Sequence, residues 1–217
     1  MGNCVTNVPY SDGDFTSSDG GSYGQGVTET AYDYTVDFSG NWGYNANATS
    51  SNKYAKKYMA NCKQMGQTLG IDWRLIAAVA MQESTMNPNS NKNKKDKDNN
   101  YLAAGLFGWF FKFWNKHAGD YKDNYENIFI PDAAFYTTTE AWKEHFTKFK
   151  NVSNLNDKIA LVIQRHHDGS CPKKDGSDAW SSGDKWQDRG ENSTVKGTKE
   201  SREYLQKVIK HYKDFCK

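Results

Sequence analysis

The chain has 217 residues, which is enough for one well-buried domain with an additional arm. Charged residues make up 25% of it and aromatic residues 14%, as is typical of a globular protein, and a formal net charge of +2 gives little reason to expect a nucleic-acid partner. No run of 18 apolar residues is present, so no membrane insertion is expected. The first residues lack the pattern of a secretory signal, and we expect a segment of a longer chain or export by another route.

The first fifty residues differ in composition from the rest. Residues 1–50 are rich in Gly, Ser, Thr, Asp and Asn and keep no helical period, which predicts an extended arm or linker. Residues 51–217 form the predicted domain. Four aromatic residues of the arm are candidates for packing onto that domain: Tyr32, Tyr34, Phe38 and Trp42.

Two helices are predicted at the start of the domain. Apolar residues recur at spacings of three and four up to Leu69, and Gly70 follows as the expected C-terminal cap. Asp72 is the expected N-cap of a second helix, which should end near Asn87 and Pro88.

The later elements complete a mainly α fold. In chain order they are a lysine-rich polar loop over 89–100, an apolar run over 102–114, helices over 132–149 and 156–167, a polar surface loop over 170–197, and a final helix beginning at Thr198. One face of the final helix carries Tyr204, Leu205, Val208, Tyr212 and Phe215. The sequence therefore predicts one mainly helical domain behind an irregular arm.

Four cysteines are present, and none is spaced as in a zinc site: Cys4, Cys62, Cys171 and Cys216. They fit either buried free thiols or one or two disulfides in an oxidising compartment. If a disulfide forms, Cys171 with Cys216 is the expected pair, because a bridge there would tie down the loop over 170–197.

The second helix carries one acidic residue on its apolar face. Leu75, Ile76 and Val79 lie on that face, and Glu83 takes its next position. Desolvation and the negative end of the helix dipole would both raise the pKa of a carboxyl group there. Such a group can hold a proton near neutral pH and donate it as a general acid. On the pattern alone, a helix-end glutamate that turns into solvent remains the alternative.

Four segments in order resemble the lytic transglycosylase and goose-type lysozyme superfamily. They are LIAAVAMQESTMNP at 75–88 followed by AGLF at 104–107, NI at 127–128 with AAFY at 133–136, KIALVIQRHHDG at 158–169, and GTKESREYLQKV at 197–208. The resemblance implies a lysozyme-like fold in which Glu83 is the catalytic acid that protonates the oxygen between N-acetylmuramic acid and N-acetylglucosamine. It implies substrate contacts at Ser84, Gly105, Leu106, Phe107, His166 and His167.

Three departures from the family pattern stand near these segments. Gly108 replaces a glutamine that would touch the sugar, and Lys92 replaces a serine. His166 replaces a tyrosine and is expected to donate a hydrogen bond to Glu83, directly or through one water. Activity should then fall as pH drops through the titration of His166, near 6.5 if its pKa is unperturbed. The alternative is a core histidine that bonds to a backbone carbonyl. Because adjacent histidines on a helix point about 100° apart, His166 and His167 are not expected to share a metal ion, and we expect no metal and no cofactor.

Glycosidases generally use a second carboxylate beside the catalytic acid. Asp96 and Asp98 are candidates, although their lysine-rich loop also fits a solvated charge run. Without one, Glu83 would act twice, first protonating the leaving oxygen and then accepting a proton from the 6-hydroxyl of the sugar, which closes a 1,6-anhydro ring.

The sequence thus predicts a peptidoglycan-cleaving domain, as a lytic transglycosylase rather than a hydrolysing muramidase. The rival is a degenerate relative that binds glycan strands without cutting them, favoured by Gly108, Lys92 and His166. Similar domains occur in phage-tail proteins and Gram-positive conjugation machines. We therefore expect an extracellular or cell-wall-facing location, within a longer chain or a secretion or virion assembly.

Overall fold

The computed structural model describes residues 36–39, 53–95, 101–169, 180, 186 and 198–216. In these ranges the protein is mainly helical, as the sequence predicts, with two isolated β-bridges and no strand. The helices are α1 (Lys53–Leu69), α2 (Trp73–Ser84), α3 (Phe111–His117), α4 (Pro131–Lys148), α5 (Leu155–Asp168) and α6 (Thr198–Cys216), with 3-10 turns at Gly119–Tyr121 and Tyr125–Phe129. None of the described helices is long and apolar enough to cross a bilayer.

The predicted boundary between the first two helices is confirmed. α1 ends at Leu69, and the next residue, Gly70, has a φ of +68°, in the left-handed region that glycine tolerates. The Asp72 carboxylate accepts a hydrogen bond from the backbone N–H of Arg74 at 3.0 Å and so caps α2.

The far end of α2 comes earlier than predicted. The helix stops at Ser84 rather than beside Pro88, because Thr85 and Met86 both adopt left-handed backbone conformations, with φ of 54° and 60°. The N–H groups of these two residues turn back onto the carbonyls of Met81 and Ala80 and satisfy the end of the helix. Glu83 therefore lies in the last turn.

α2 forms the centre of the molecule, packed between α1 and α6. Its apolar face is fully buried, and the buried face predicted for α6 is confirmed for all five residues named above. Of the arm, residues 36–39 are described. The Phe38 backbone N–H donates to the Asn156 side chain at 2.9 Å, and its buried ring meets Tyr212 edge-on at 5.5 Å. Tyr32, Tyr34 and Trp42 lie outside the described residues.

Two of the four cysteines can be placed. Cys62 in α1 and Cys216 at the end of α6 are both buried free thiols. Burial raises the pKa of Cys62 to about 12 and also raises the pKa of Cys216. Cys216, the partner expected for Cys171, is thus a free thiol in the structure. Cys4 and Cys171 lie outside the described residues.

Asp72 joins the start of α2 to α6 and should be a major support of the fold. Besides capping α2, its carboxylate forms an ion pair with Arg74 and accepts a hydrogen bond from the Tyr212 hydroxyl at 2.9 Å. We expect Asp72→Ala to lower the free energy of unfolding by about 3 kcal/mol, since it removes a cap and the partner of a largely buried guanidinium. Asp72→Asn, which keeps an acceptor for the cap, should lose less. Urea unfolding measures both, and equal stability of all three proteins would contradict this role.

Candidate active site

Glu83 lies in the last turn of α2 with only 14% of its side-chain surface exposed. Burial raises the pKa of its carboxyl group above the ordinary value of 4.5. A hydrogen bond from Tyr204 and the charge of His167 act in the opposite direction without cancelling the effect. The carboxyl group can therefore be protonated at a pH at which an exposed glutamate is ionised.

One oxygen of this carboxyl group is held by Tyr204, which lies on α6. The Tyr204 hydroxyl donates a short hydrogen bond of 2.5 Å to Glu83 Oε1, and the tyrosine side chain is buried. The imidazole of His167, on α5, packs against the Tyr204 ring with their centroids 4.4 Å apart. His167 Nδ1 lies 2.8 Å from the Asp168 carboxylate. Three helices thus meet at Glu83.

The other oxygen faces a tight turn over residues 105–108. An antiparallel bridge between Ala104 and Trp109 closes the turn, and Gly105 and Gly108 stand at its ends with φ of 73° and 62°. A Cβ atom at Gly108 would lie 2.1 Å from Glu83 Oε2. Glu83 therefore rests directly against the backbone of Gly108, and no other residue fits there while Glu83 keeps this position.

The expected substrate contacts around the turn are mostly used within the protein. The buried Ser84 hydroxyl donates to the Leu106 carbonyl at 2.8 Å and so ties α2 to the turn, while Gly105 packs against Ile128. The side chains of Leu106 and Phe107 are buried in the core, so the structure does not support a direct contact between them and a sugar. Within the turn, Gly105, Leu106 and Phe107 are buried and Gly108 is partly exposed.

His166 lies beside Glu83 without a direct hydrogen bond to it and bonds instead to a backbone carbonyl, as in the core-histidine alternative. His166 Nε2 is 3.9 Å from Glu83 Oε1 and 3.1 Å from the Phe107 carbonyl oxygen. The Trp142 indole N–H donates to His166 Nδ1 at 3.3 Å. Both ring nitrogens therefore have other partners, and Tyr204 takes the place beside Glu83 that the sequence assigned to the histidine.

The structure does not support a titration of His166 near pH 6.5. Only 3% of the His166 side chain is exposed, and this burial lowers its pKa to about 4. The imidazole is therefore neutral throughout the range in which an acid limb near pH 6.5 was expected. The indole N–H of Trp142 favours the same state, because only an unprotonated Nδ1 can accept it.

Of the lysine-rich loop, the structure describes Lys92 but neither of the two candidates for a second carboxylate. Lys92 forms an ion pair with Glu126 at 2.9 Å, and its ammonium group lies 5.1 Å from the centre of the Phe129 ring. Asp96 and Asp98 lie outside the described residues. Within the described ranges, no three His, Cys, Asp or Glu side chains are grouped as a metal site would require.

Sequence reasoning missed the roles of Tyr204 and Gly108. The available signal for Tyr204 is its position on the predicted buried face of α6, within a segment that resembles the family. Nothing local connects it to Glu83, a residue 121 positions earlier. Gly108 was interpreted as the loss of a sugar contact, whereas its lack of a side chain makes room for Glu83 itself.

Comparison with known proteins gives one family match. Residues 60–164, just under half of the chain, match the transglycosylase SLT domain. The matched segment contains Glu83 and the glycine turn and ends two residues before His166, so Tyr204 lies outside it. No curated protein matches the chain.

Proposed function

We propose, from the transglycosylase SLT domain match over residues 60–164, that this chain cleaves the β-1,4 bond between N-acetylmuramic acid and N-acetylglucosamine in peptidoglycan, with Glu83 as the acid. The observation that carries the proposal is the Glu83 carboxyl group, whose pKa is raised by burial and whose two oxygens have separate supports. A fixed, protonated carboxyl group at a partly open position is what protonation of a glycosidic oxygen requires. A domain that only binds glycan would not need it.

The simplest mechanism uses Glu83 twice. Its carboxyl proton passes to the oxygen that links the two sugars as the bond to C1 of N-acetylmuramic acid breaks. The resulting carboxylate, stabilised by the Tyr204 hydroxyl, accepts the proton of the 6-hydroxyl of the same sugar as that oxygen bonds to C1. The products are a 1,6-anhydro sugar end and a free N-acetylglucosamine hydroxyl, and Glu83 regains its proton. Hydrolysis by a water activated at Asp96 or Asp98 is the alternative within the same fold.

The products of purified peptidoglycan distinguish these reactions. We expect mass spectrometry of digested, purified cell walls to find muropeptides that end in 1,6-anhydro-N-acetylmuramic acid, with none released by Glu83→Gln. Reducing N-acetylmuramic acid ends would instead assign a muramidase. Co-sedimentation with cell walls without release of muropeptides would assign a binding domain, and equal release by wild type and Glu83→Gln would reject Glu83 as the acid.

Tyr204→Phe should change the pH dependence in a defined direction. The Tyr204 hydroxyl stabilises the ionised form of Glu83, so its removal should raise the pKa of Glu83 further. Because the acid must be protonated in the free enzyme, the basic limb of kcat/KM against pH should move to higher pH. We also expect a loss of about 10-fold at the optimum from poorer positioning. A basic limb that stays in place or moves to lower pH would contradict this coupling.

We further propose that the domain works outside the cytoplasm, where peptidoglycan is found, as part of a longer chain or of a virion or conjugation assembly. The support is the substrate class and the resemblance of the four sequence segments to domains in that setting. Detection of the protein in the cell-wall fraction of its host, or in virions, is the expected result, and exclusive recovery from the cytoplasm would reject it.

A further inference from the structure

His166 makes no direct hydrogen bond to Glu83, but it links two parts of the protein that lie next to this residue. It is a buried neutral imidazole whose edge lies 3.9 Å from the candidate catalytic oxygen. Its two ring nitrogens join α4, through Trp142, to the turn over residues 105–108, through Phe107. That turn carries Gly108, against which Glu83 Oε2 rests.

The hydrogen bonds fix both the tautomer and the direction of the ring. An indole N–H can only donate, so Nδ1 of His166 must be the unprotonated acceptor. The proton is therefore on Nε2, which donates it to the Phe107 carbonyl. Trp109 and Trp142 meet the ring edge-on, with centroids 5.4 and 5.9 Å away, and leave it little freedom to rotate.

We propose that His166 is a positioning residue that acts on Glu83 through the glycine turn: its Nε2–H holds the Phe107 carbonyl and thereby keeps the Gly108 backbone against Glu83 Oε2. The inference rests on the proposed function of Glu83. This role differs from the one expected of His166 as the replacement of a tyrosine, which was a hydrogen bond to Glu83 itself. Tyr204 holds one oxygen of the carboxyl group directly, and His166 fixes the surface on which the other oxygen lies.

Two substitutions of similar size distinguish the effect of the hydrogen bond to Phe107 from the effect of the volume of the His166 ring. His166→Gln can place an N–H near the position of Nε2, whereas His166→Met fills similar space without a donor. On soluble, uncross-linked glycan strands, we expect His166→Gln to keep kcat within about 3-fold of wild type and His166→Met to lose about 10- to 100-fold with little change in KM. Equal kcat for both variants would overturn the proposal.

Two nuclear magnetic resonance measurements test the proposal without depending on cleavage. In the wild type, the imidazole ¹⁵N signals of His166 should show the Nε2–H tautomer at neutral pH, and an Nδ1–H tautomer would overturn the proposal even if neither variant folds. The ¹³C titration of the Glu83 carboxyl and the amide signal of Gly108 should change in His166→Met and remain close to wild type in His166→Gln. Unchanged signals in folded His166→Met would reduce His166 to a core residue. Wild type that shows these signals and cuts no glycan would instead reject the proposed function.

Discussion

Replacing Glu83 with glutamine is expected to lower the rate of glycan cleavage by about 1,000-fold or more while leaving the fold intact. The amide has the shape of the carboxyl group and can still accept the Tyr204 hydrogen bond at its oxygen, but it cannot deliver a proton to the glycosidic oxygen. The measurement is the release of soluble muropeptides from purified cell walls at several pH values. Retention of comparable activity at any of them would remove Glu83 from the mechanism.

The same substitution should make the protein more stable at neutral pH. The pKa of Glu83 is raised in the folded state, so between its ordinary value of 4.5 and its folded value the native protein holds a proton that the unfolded chain has released. Stability therefore falls as pH rises through this window, and glutamine avoids that cost. We expect Glu83→Gln to have a higher Tm than wild type at pH 7, with the difference closing below pH 4.5. For a domain of this size, each kcal/mol corresponds to about 2–4 °C.

The opposite outcome would be informative about the carboxyl group. A Tm for Glu83→Gln that is lower than wild type at neutral pH and equal to it in acid would mean that the folded protein favours the ionised carboxylate. Glu83 would then be a poor acid, and the proposed first step would lose its physical basis.

Restoring the glutamine of the family pattern at position 108 should lower activity strongly rather than improve it. A side chain at Gly108 would place its Cβ atom 2.1 Å from Glu83 Oε2, so Glu83 must leave its position or the turn must move. We expect both Gly108→Gln and Gly108→Ala to lose about 100-fold or more in kcat, as displacement of a catalytic group by about 1 Å can. Had Gly108 merely lost a sugar contact, Gly108→Gln would raise affinity and rate, and that result would refute our interpretation.

Gly70 supplies the matched control for this experiment. Its φ of +68° is close to the +62° of Gly108, so alanine causes similar backbone strain at both positions, about 1 kcal/mol or more. A Cβ atom at Gly70, however, would meet nothing within 4 Å. Gly70→Ala should therefore lose stability but keep kcat, while Gly108→Ala should lose both. Equal kcat values for the two variants would show that strain, and not contact with Glu83, sets the effect.

Some features of the fold and the site followed from the sequence because their causes are local. The start of α2 follows from the Asp72 cap, and the end of α1 follows from a glycine in a left-handed conformation. Helical spacing alone put Glu83 in line with the apolar face of α2 and Tyr204 on the buried face of α6. The end of α2 lies earlier than the sequence predicts, because the left-handed conformations of Thr85 and Met86 have no strong signal in residue type.

The partners of Glu83 were decided by tertiary structure. Tyr204 and His166 both point toward it from separate helices, and the crossing of α2, α5 and α6 determines which one reaches hydrogen-bonding distance: 2.5 Å for the tyrosine and 3.9 Å for the histidine. Trp142 and the Phe107 carbonyl bond to the two nitrogens of the imidazole, and neither residue is near His166 in sequence. Residue type and spacing determine which groups face the interior, but the hydrogen bonds among them depend on distances that only packing between helices sets.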